Sequence, residues 1–311
     1  MRRTTKYAAV TKDAAPVCVL RTGRQRRRWG FYGSIIIKLN TESLTFMLYG
    51  AMNFPVSPVL KEIETISSLQ FDYLELTMDP PQAHFKVIRQ KRDKLLKALE
   101  DLNMGLVCHL PSFVSTADLT DSIREASLNE MLQSLEVAAD LPSIKVVIHP
   151  SFMMGLSVFV MDKVRKYALK SIEVMVERAE SLGLTLCIEN LFPRSNSLVE
   201  PDHFEDIFER FPTLRMTLDI GHANIEDKGR RRATDFIERF SHRIDHIHAS
   251  DNFGGEDNHI PLGTGTVDFH KIIKALKGIG YDKTITIEVF SRDRDYLRIS
   301  REKLAAMFAF I

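Results

Sequence analysis

Histidine and acidic residues recur in this chain at the ends of short apolar runs. Six of them follow one another along the sequence: His109, His149, Glu189, Asp219, His248 and Glu288. Imidazole and carboxylate side chains bind divalent metal ions and carry protons in acid–base catalysis. Because the set contains no thiolate, it suits zinc, manganese or cobalt, and magnesium alone less well. The residue types therefore predict a divalent metal centre.

Three more residues extend this set of donors. His222 follows Asp219 by three positions in the segment LDIGH, so its side chain can reach the same place. Asp257 and His259 have a D-x-H spacing in the segment before LGTGT. Such a loop pair is either a chelate or two solvated residues, and the six other donors favour the chelate.

Each donor alone has a simpler explanation. A single strand histidine is more often a core residue with satisfied hydrogen bonds, and an acidic residue at a strand end usually caps the next turn. Taken together the donors need another explanation, because unpaired carboxylates that are buried at one place each cost several kcal/mol. A bound cation offsets that cost.

The elements that carry these residues alternate regularly from Met47 onward. Apolar or β-branched runs predict strands at 47–52, 73–77, 105–110, 145–150, 185–190, 215–220, 244–250 and 284–290. Amphipathic stretches predict helices at 57–69, 84–103, 121–140, 161–182, 202–210, 232–241, 266–278 and 295–309. Eight β/α units in about 260 residues predict an α/β protein with a single-domain (β/α)8 TIM barrel over 47–311. A doubly wound sheet is disfavoured because no GxGxxG follows the first strand.

The first six donors fall at the carboxyl ends of predicted strands, where barrel enzymes build their sites. Side chains alternate along a strand, so the residues two positions earlier share the inward face. These are Val107, Val147, Cys187, Thr217, His246 and Thr286, and they are compatible with a packed layer below a polar mouth. His246 is therefore expected to pack inside the barrel.

Charge separates the chain into two parts. Residues 1–46 hold ten Lys or Arg and two acidic residues, which gives +8, whereas the other residues hold 32 bases and 39 acids, which gives −7. We expect 1–46 to be a disordered basic extension without a catalytic role. The acidic body is not typical of a general nucleic-acid binder.

The lack of an 18-residue apolar run argues against a membrane span, and three scattered cysteines favour a cytoplasmic, reducing compartment.

The motifs of the second half of the chain resemble the xylose-isomerase-like TIM-barrel superfamily. They are IEN (188–190), LDIGH (218–222), HIHASDN (246–252), HIPLGTG (259–265) and TIEVF (286–290), and the resemblance spans 47–310. The superfamily contains sugar and sugar-phosphate isomerases and epimerases together with endonuclease IV. The epimerase resemblance implies one metal ion held by Glu189, Asp219, His248 and Glu288.

Resemblance to endonuclease IV implies a different site, in which nine ligands hold three zinc ions. The five additional ligands are then His109, His149, His222, Asp257 and His259. The flanking sequence departs from that enzyme, which has Asp-Thr-Cys-His in place of Asp-Ile-Gly-His and a glycine-rich run in place of LFPRSNS. A sugar or sugar-phosphate isomerase or epimerase is therefore the favoured function. An AP endonuclease or phosphodiesterase that acts on DNA is the alternative.

The favoured function assigns roles to individual residues. The metal is zinc, manganese or cobalt, with one to three ions per chain, and it polarises the carbonyl of an acyclic sugar. Glu189 and Glu288 move protons by way of an ene-diolate intermediate. His222 holds or shuttles a hydroxyl proton unless it binds a second ion. Glu75 is a candidate for binding sugar hydroxyls or, equally, for a hydrogen-bonded structural role. The LGTGT amides with Arg194 are candidates for binding phosphate, and the simpler alternatives are a tight turn and a solvated arginine. The site residues that fill these binding roles are Glu75, Arg194, Gly263 and Gly265. The oligomeric state stays open, and a homo-oligomer is compatible with the sequence.

Overall fold

A computed structural model describes residues 47–311 as a closed barrel of parallel strands in sequential order, β1 to β8. Each strand pairs with its neighbours in the chain, and β8 pairs with β1. This arrangement confirms the predicted single-domain (β/α)8 barrel. The basic segment 1–46 lies outside the described residues, so its disorder stays a prediction.

All eight predicted strands are present. Their bounds are β1 Leu48–Met52, β2 Tyr73–Thr77, β3 Gly105–His109, β4 Ser143–Ile148, β5 Leu186–Glu189, β6 Arg215–Asp219, β7 Ile244–Ala249 and β8 Thr284–Ile287. The last strand is shorter than predicted. Beyond Ile287 the chain bends toward the loop after β7, because the Phe290 amide donates to the His259 carbonyl at 3.3 Å.

Nine helices surround the barrel in residues 47–311. They are α1 Val59–Ser68, α2 Phe85–Asp101, α3 Asp121–Ala139, α4 Met161–Ser181, α5 Asp202–Arg210, α6 Ile220–Asn224, α7 Arg232–Phe240, α8 Phe269–Gly278 and α9 Asp295–Phe310. The short α6 was not predicted, and it begins where the Asp219 carboxylate accepts the His222 amide at 2.5 Å. The helix α8 begins later than predicted because Asp268 caps it through the Lys271 amide. None of these helices is long and apolar enough to cross a membrane.

The larger core lies between the outer face of the strands and the helices. The apolar face predicted for α4 is buried, with Ile172, Met175 and Ala179 in this core and Val164 and Ala168 in a smaller neighbouring cluster. This helix ends before Gly183, which adopts a positive φ of 70°. Glycine allows that backbone turn without steric cost, so the chain can enter β5 directly.

The inside of the barrel is filled by a second layer. Its apolar part is formed by Tyr73, Val107 and Val147, and all three are fully buried. All six residues predicted two positions before the strand ends are also buried, as expected from the alternation of side chains. This packed interior closes the barrel from below and leaves the carboxyl ends of the strands as the open mouth.

Replacement of Gly50 by alanine tests how tightly this interior is packed. A Cβ at Gly50 would lie 2.1 Å from a ring carbon of Tyr73. That ring is held in place by burial and by a 2.8 Å contact between its hydroxyl and Thr286 Oγ1. We expect Gly50→Ala to lower the free energy of unfolding by about 1–3 kcal/mol in urea titrations, as overpacked cores do. Gly278→Ala is the control, since its Cβ meets nothing within 4 Å; equal stability of both variants contradicts the packing account.

Candidate metal and catalytic site

The strands deliver the predicted donors to one level at the mouth of the barrel. His109, Glu189 and Asp219 are the last residues of β3, β5 and β6. His149 and Glu288 directly follow β4 and β8. The register pairs Asp219 with His248, which places these neighbours at the same height. The parallel sheet thus brings together residues that are far apart in the sequence.

His248 lies at the centre of the four donors that the epimerase resemblance implies. Its Nδ1 is 3.0 Å from Glu288 Oε1, 3.2 Å from Glu189 Oε2 and 3.8 Å from Asp219 Oδ2. All four side chains are buried. Three carboxylates therefore surround a single imidazole nitrogen with almost no access to water.

Several donor atoms of this group lack hydrogen-bond partners within the described chain. Both carboxylate oxygens of Glu189, Oδ2 of Asp219 and Nδ1 of His248 are buried without a hydrogen bond. Buried polar atoms are normally satisfied, and a converging set of unsatisfied oxygen and nitrogen atoms is what a cation needs. Ligand atoms of Glu189, Asp219 and His248 lie within 4.8 Å of one another. The residues present fit a divalent metal ion.

Glu75 lies directly beneath His248, not at the mouth. Its Oε1 is 2.9 Å from His248 Nε2, and its Oε2 is 2.9 Å from His246 Nε2. His246 Nδ1 is in turn 2.7 Å from Thr284 Oγ1. Glu75 is thus buried with hydrogen-bonded partners, as in the structural alternative, and it does not line the cavity described below. A carboxylate on the far nitrogen of a histidine fixes the orientation of the ring, and here it turns His248 Nδ1 toward the donors.

The other five predicted donors adjoin this group. His149 Nε2 and His109 Nε2 lie 3.3 and 3.5 Å from Glu189 Oε2. His222 Nδ1 lies 3.0 Å from Glu189 Oε1 on the opposite side. The Glu189 carboxylate therefore contacts imidazoles on both of its oxygens.

The loop after β7 completes the cluster. Asp257 Oδ2 is 3.2 Å from His222 Nε2 and 2.8 Å from His259 Nε2. The predicted D-x-H pair thus points into the mouth, with its ligand atoms close to those of His222. All nine donors named from the sequence come together at one place.

The two glutamates have opposite electrostatic environments. Burial raises the pKa of Glu288 to about 7, and the nearby Asp219 carboxylate adds to that effect. Burial also opposes ionisation of Glu189, but the imidazoles of His149 and His248 outweigh it and hold its pKa well below the usual range. Two carboxyl groups with separated affinities for a proton are typical of acid–base sites.

A cavity of about 370 Å³ opens above the donors. Sequence reasoning did not find most of its walls. The additional residues are Met52, Phe54, Pro55, Thr77, Asp79, Ser112, Phe113, Phe152, Phe192 and Phe290. Asp79 could have been found from the sequence, because it is an acidic residue that follows β2 by two positions. It accepts hydrogen bonds from Thr77 Oγ1 at 2.6 Å and from the Ser112 amide at 3.1 Å. The phenylalanines lie in loops, where no periodicity marks them.

The residues proposed for phosphate binding have other partners. The amides of Gly263 and Gly265 both donate to Oδ2 of the buried Asp251, at 2.8 and 2.9 Å. Arg194 is largely exposed and lies 3.7 Å from carboxylate oxygens of Glu226 and Glu256. Neither the glycines nor Arg194 line the cavity. The glycine turn thus holds an internal carboxylate and the arginine belongs to surface ion pairs, as in the two simpler alternatives.

Comparison with known families agrees with this architecture. The model of a family described as xylose isomerase-like TIM barrel, AP_endonuc_2, matches residues 63–309. The chain belongs to this family. The predicted superfamily is thereby confirmed over most of the barrel.

Three proteins similar to this chain show which activities occur among its relatives. An uncharacterised protein of Methanocaldococcus jannaschii, MJ1311, is 28% identical over 287 residues, which cover 86% of this chain and 92% of that protein. L-ribulose-5-phosphate 3-epimerase UlaE of Escherichia coli is 24% identical over 247 residues, covering 75% and 82%. The crystal structure of a D-tagatose 3-epimerase-like protein has a TM-score of 0.75 at 26% identity and covers 85% of this chain and 97% of that one. The chain is thus similar over most of its barrel to proteins named as sugar epimerases.

Substitution of Glu75 tests whether it orients His248. A glutamine has one acceptor oxygen and cannot accept from both imidazoles, so we expect Glu75→Gln to weaken zinc or manganese binding about 10- to 100-fold. Competition with a chromogenic chelator measures the dissociation constant. Glu62→Gln is the control, because Glu62 is also buried but pairs with Arg294, outside the donor cluster. Unchanged affinity in a folded Glu75→Gln variant contradicts the orienting role.

Proposed function

We propose that this protein is a divalent-metal-dependent sugar isomerase or epimerase. The observation that carries the proposal is the buried group of Glu189, Asp219, His248 and Glu288. Unsatisfied atoms of the first three converge there, and Glu189 and Glu288 also line the cavity. Two glutamates in that group supply the proton carriers that such a reaction requires. Similarity to the D-tagatose 3-epimerase-like protein and to UlaE supports the same class of reaction.

The four donors would hold one ion, and His248 would bind it through Nδ1 because Glu75 occupies Nε2. Zinc, manganese and cobalt suit this mixture of imidazole and carboxylate. A bound ion supplies electron withdrawal from a sugar carbonyl, which acidifies the adjacent C–H bond.

Glu189 and Glu288 carry the proton on this proposal. Both contact the same nitrogen of His248, from Oε2 and Oε1 respectively, so the two carboxylates border one small space. One glutamate removes a proton from the carbon next to the carbonyl as an ene-diolate forms. Return of a proton by the other glutamate to the opposite face gives an epimer, and return to the neighbouring carbon gives an aldose–ketose isomer.

The remaining residues position the sugar and exclude water. His222 lines the cavity and touches both Glu189 and Asp257, so its ring is placed to hold or relay a hydroxyl proton. Phe152 and Phe192 stand above it, with ring centroids 6.0 Å apart. Their apolar surface limits access of water to the carbanion-like intermediate.

A second candidate function has one specific observation in its favour. The chain provides two more groups of ligand atoms, His109, His149 and Glu189 on one side, and His222, Asp257 and His259 on the other. A three-ion site of this kind suits an AP endonuclease or another phosphodiesterase. Against it, none of the described residues that line the cavity is a lysine or arginine, and the charge of residues 47–311 is negative, whereas DNA binding depends on cations.

The glutamates provide the first test. We expect Glu189→Gln and Glu288→Gln each to reduce solvent deuterium incorporation into a sugar panel by about 10²- to 10⁴-fold, because each removes a proton carrier. Proton NMR in D₂O measures the exchange, and a parallel metal titration shows whether the ion is retained. Glu256→Gln, at an exposed rim glutamate, is the control and keeps full exchange. Wild-type rates in either cavity variant overturn the assignment.

Metal content and DNA cleavage separate the two candidates. We expect purified protein to contain about one ion per chain by inductively coupled plasma mass spectrometry, and to leave abasic duplex DNA intact. About three ions per chain, together with nicking that is lost in His109→Ala and Asp257→Ala, would support the nuclease in place of the epimerase.

A further inference from the structure

Sugars and sugar phosphates differ by a dianionic group, and proteins bind that group with cations or with unpaired backbone amides. In TIM barrels the amides after strands seven and eight commonly serve this purpose. The charges and amides around the mouth of this barrel therefore bear on which of the two kinds of sugar the site takes.

The backbone amides of the glycine turn after β7 are already used by the chain itself. Asp251 Oδ2 accepts from Gly263 and Gly265, and its Oδ1 accepts from Val267 at 3.1 Å and Asn252 at 2.9 Å. The carboxylate is fully buried. A Cβ at Gly265 would lie 2.4 Å from Asp251 Oδ1, so the turn closes tightly on this group. The turn is built around an internal anion and offers no free amide pair.

The cavity itself is lined by carboxylates and phenyl rings. Its acidic residues are Asp79, Glu189, Asp257 and Glu288, and its aromatic wall consists of Phe54, Phe113, Phe152, Phe192 and Phe290. The four histidines of the lining each face a carboxylate of Glu189 or Asp257. Among residues 47–311, no lysine or arginine lines this space, so a phosphate dianion there would meet the carboxylates without a compensating side chain of that kind.

Three cationic side chains lie on the other side of the phenyl wall. Lys61, Arg292 and Arg294 line a neighbouring pocket on the outer side of Phe54 and Phe290, whose ring centroids are 6.1 Å apart. Arg294 is neutralised there by Glu62 at 2.9 Å. The phenyl pair thus stands between the donor cluster and these cations.

We infer that the site takes an unphosphorylated sugar, with its hydroxyls at the donor cluster and its C–H face against the phenyl rings. The inference rests on the proposed function and narrows it to one class of substrate. It also distinguishes this chain from UlaE, whose name specifies a 5-phosphate. Phe113 is 90% exposed and lines the cavity, so it offers a position where the charge of the mouth can be changed without disturbing the core.

Matched pairs of ligands test the inference on the full-length, metal-loaded protein. Deuterium exchange is measured with ketopentoses and ketohexoses and with their terminal phosphate esters. Isothermal titration calorimetry is run in parallel with the corresponding sugar alcohols and their phosphate esters, which cannot react. We expect kcat/KM and affinity to favour the unphosphorylated member at least tenfold. Phe113→Lys adds a positive charge at the mouth, so we expect it to reduce the ratio of unphosphorylated to phosphorylated binding at least threefold. Phe113→Gln is the uncharged control, which shows the effect of losing the ring alone.

The outcomes separate this inference from the proposed function. Equal or better binding of the phosphate esters overturns the inference while the epimerase proposal stands. Preferential binding of the sugar alcohols with no exchange into any sugar supports the substrate class and overturns the reaction. Absence of binding by either member of every pair at millimolar concentration contradicts both.

Discussion

The crowding of carboxylates around a single imidazole dominates this structure. Glu189, Asp219 and Glu288 all lie within 3.8 Å of His248 Nδ1 in a place that water hardly reaches. Like charges buried this close repel strongly unless protons or a cation compensate them. The metal-binding proposal and the opposite proton affinities of the two glutamates both follow from this one constraint.

Polar residues inside the barrel, below the donor cluster, hold His248 in its orientation. Glu75 and His246 fill the polar part of the interior, and together with Thr284 they form a continuous chain of contacts that ends at His248. Such outer partners fix the direction of a ligand and raise its basicity. The strands thus set the height of the donors, and the buried chain of contacts sets the orientation of the central one. A ligand cluster supported in this way is held on rigid elements, while the substrate-facing walls lie on loops.

The strands and donors could be predicted because both depend on local patterns. Alternation within a strand fixes which side chains point inward, and the parallel barrel brings every strand end to one rim. The roles of Glu75 and Asp251 could not be predicted in this way. Glu75 contacts His248, which is 173 residues away in the sequence. Asp251 accepts hydrogen bonds from backbone amides 12 and 14 residues further along the chain. Partners of that kind depend on tertiary contacts. The phenylalanine wall was missed for the same reason, since its members come from separate loops.

The most direct measurement is an anomalous difference map from crystals grown with zinc and collected at the zinc absorption edge. The account predicts a peak with Glu189, Asp219 and Glu288 oxygens and His248 Nδ1 at about 2.0–2.2 Å. It also predicts that Glu75 remains on His248 Nε2 in the same crystal. A map without a peak among these four side chains, or with ions bound only by His109, His149, His222, Asp257 and His259, would contradict it.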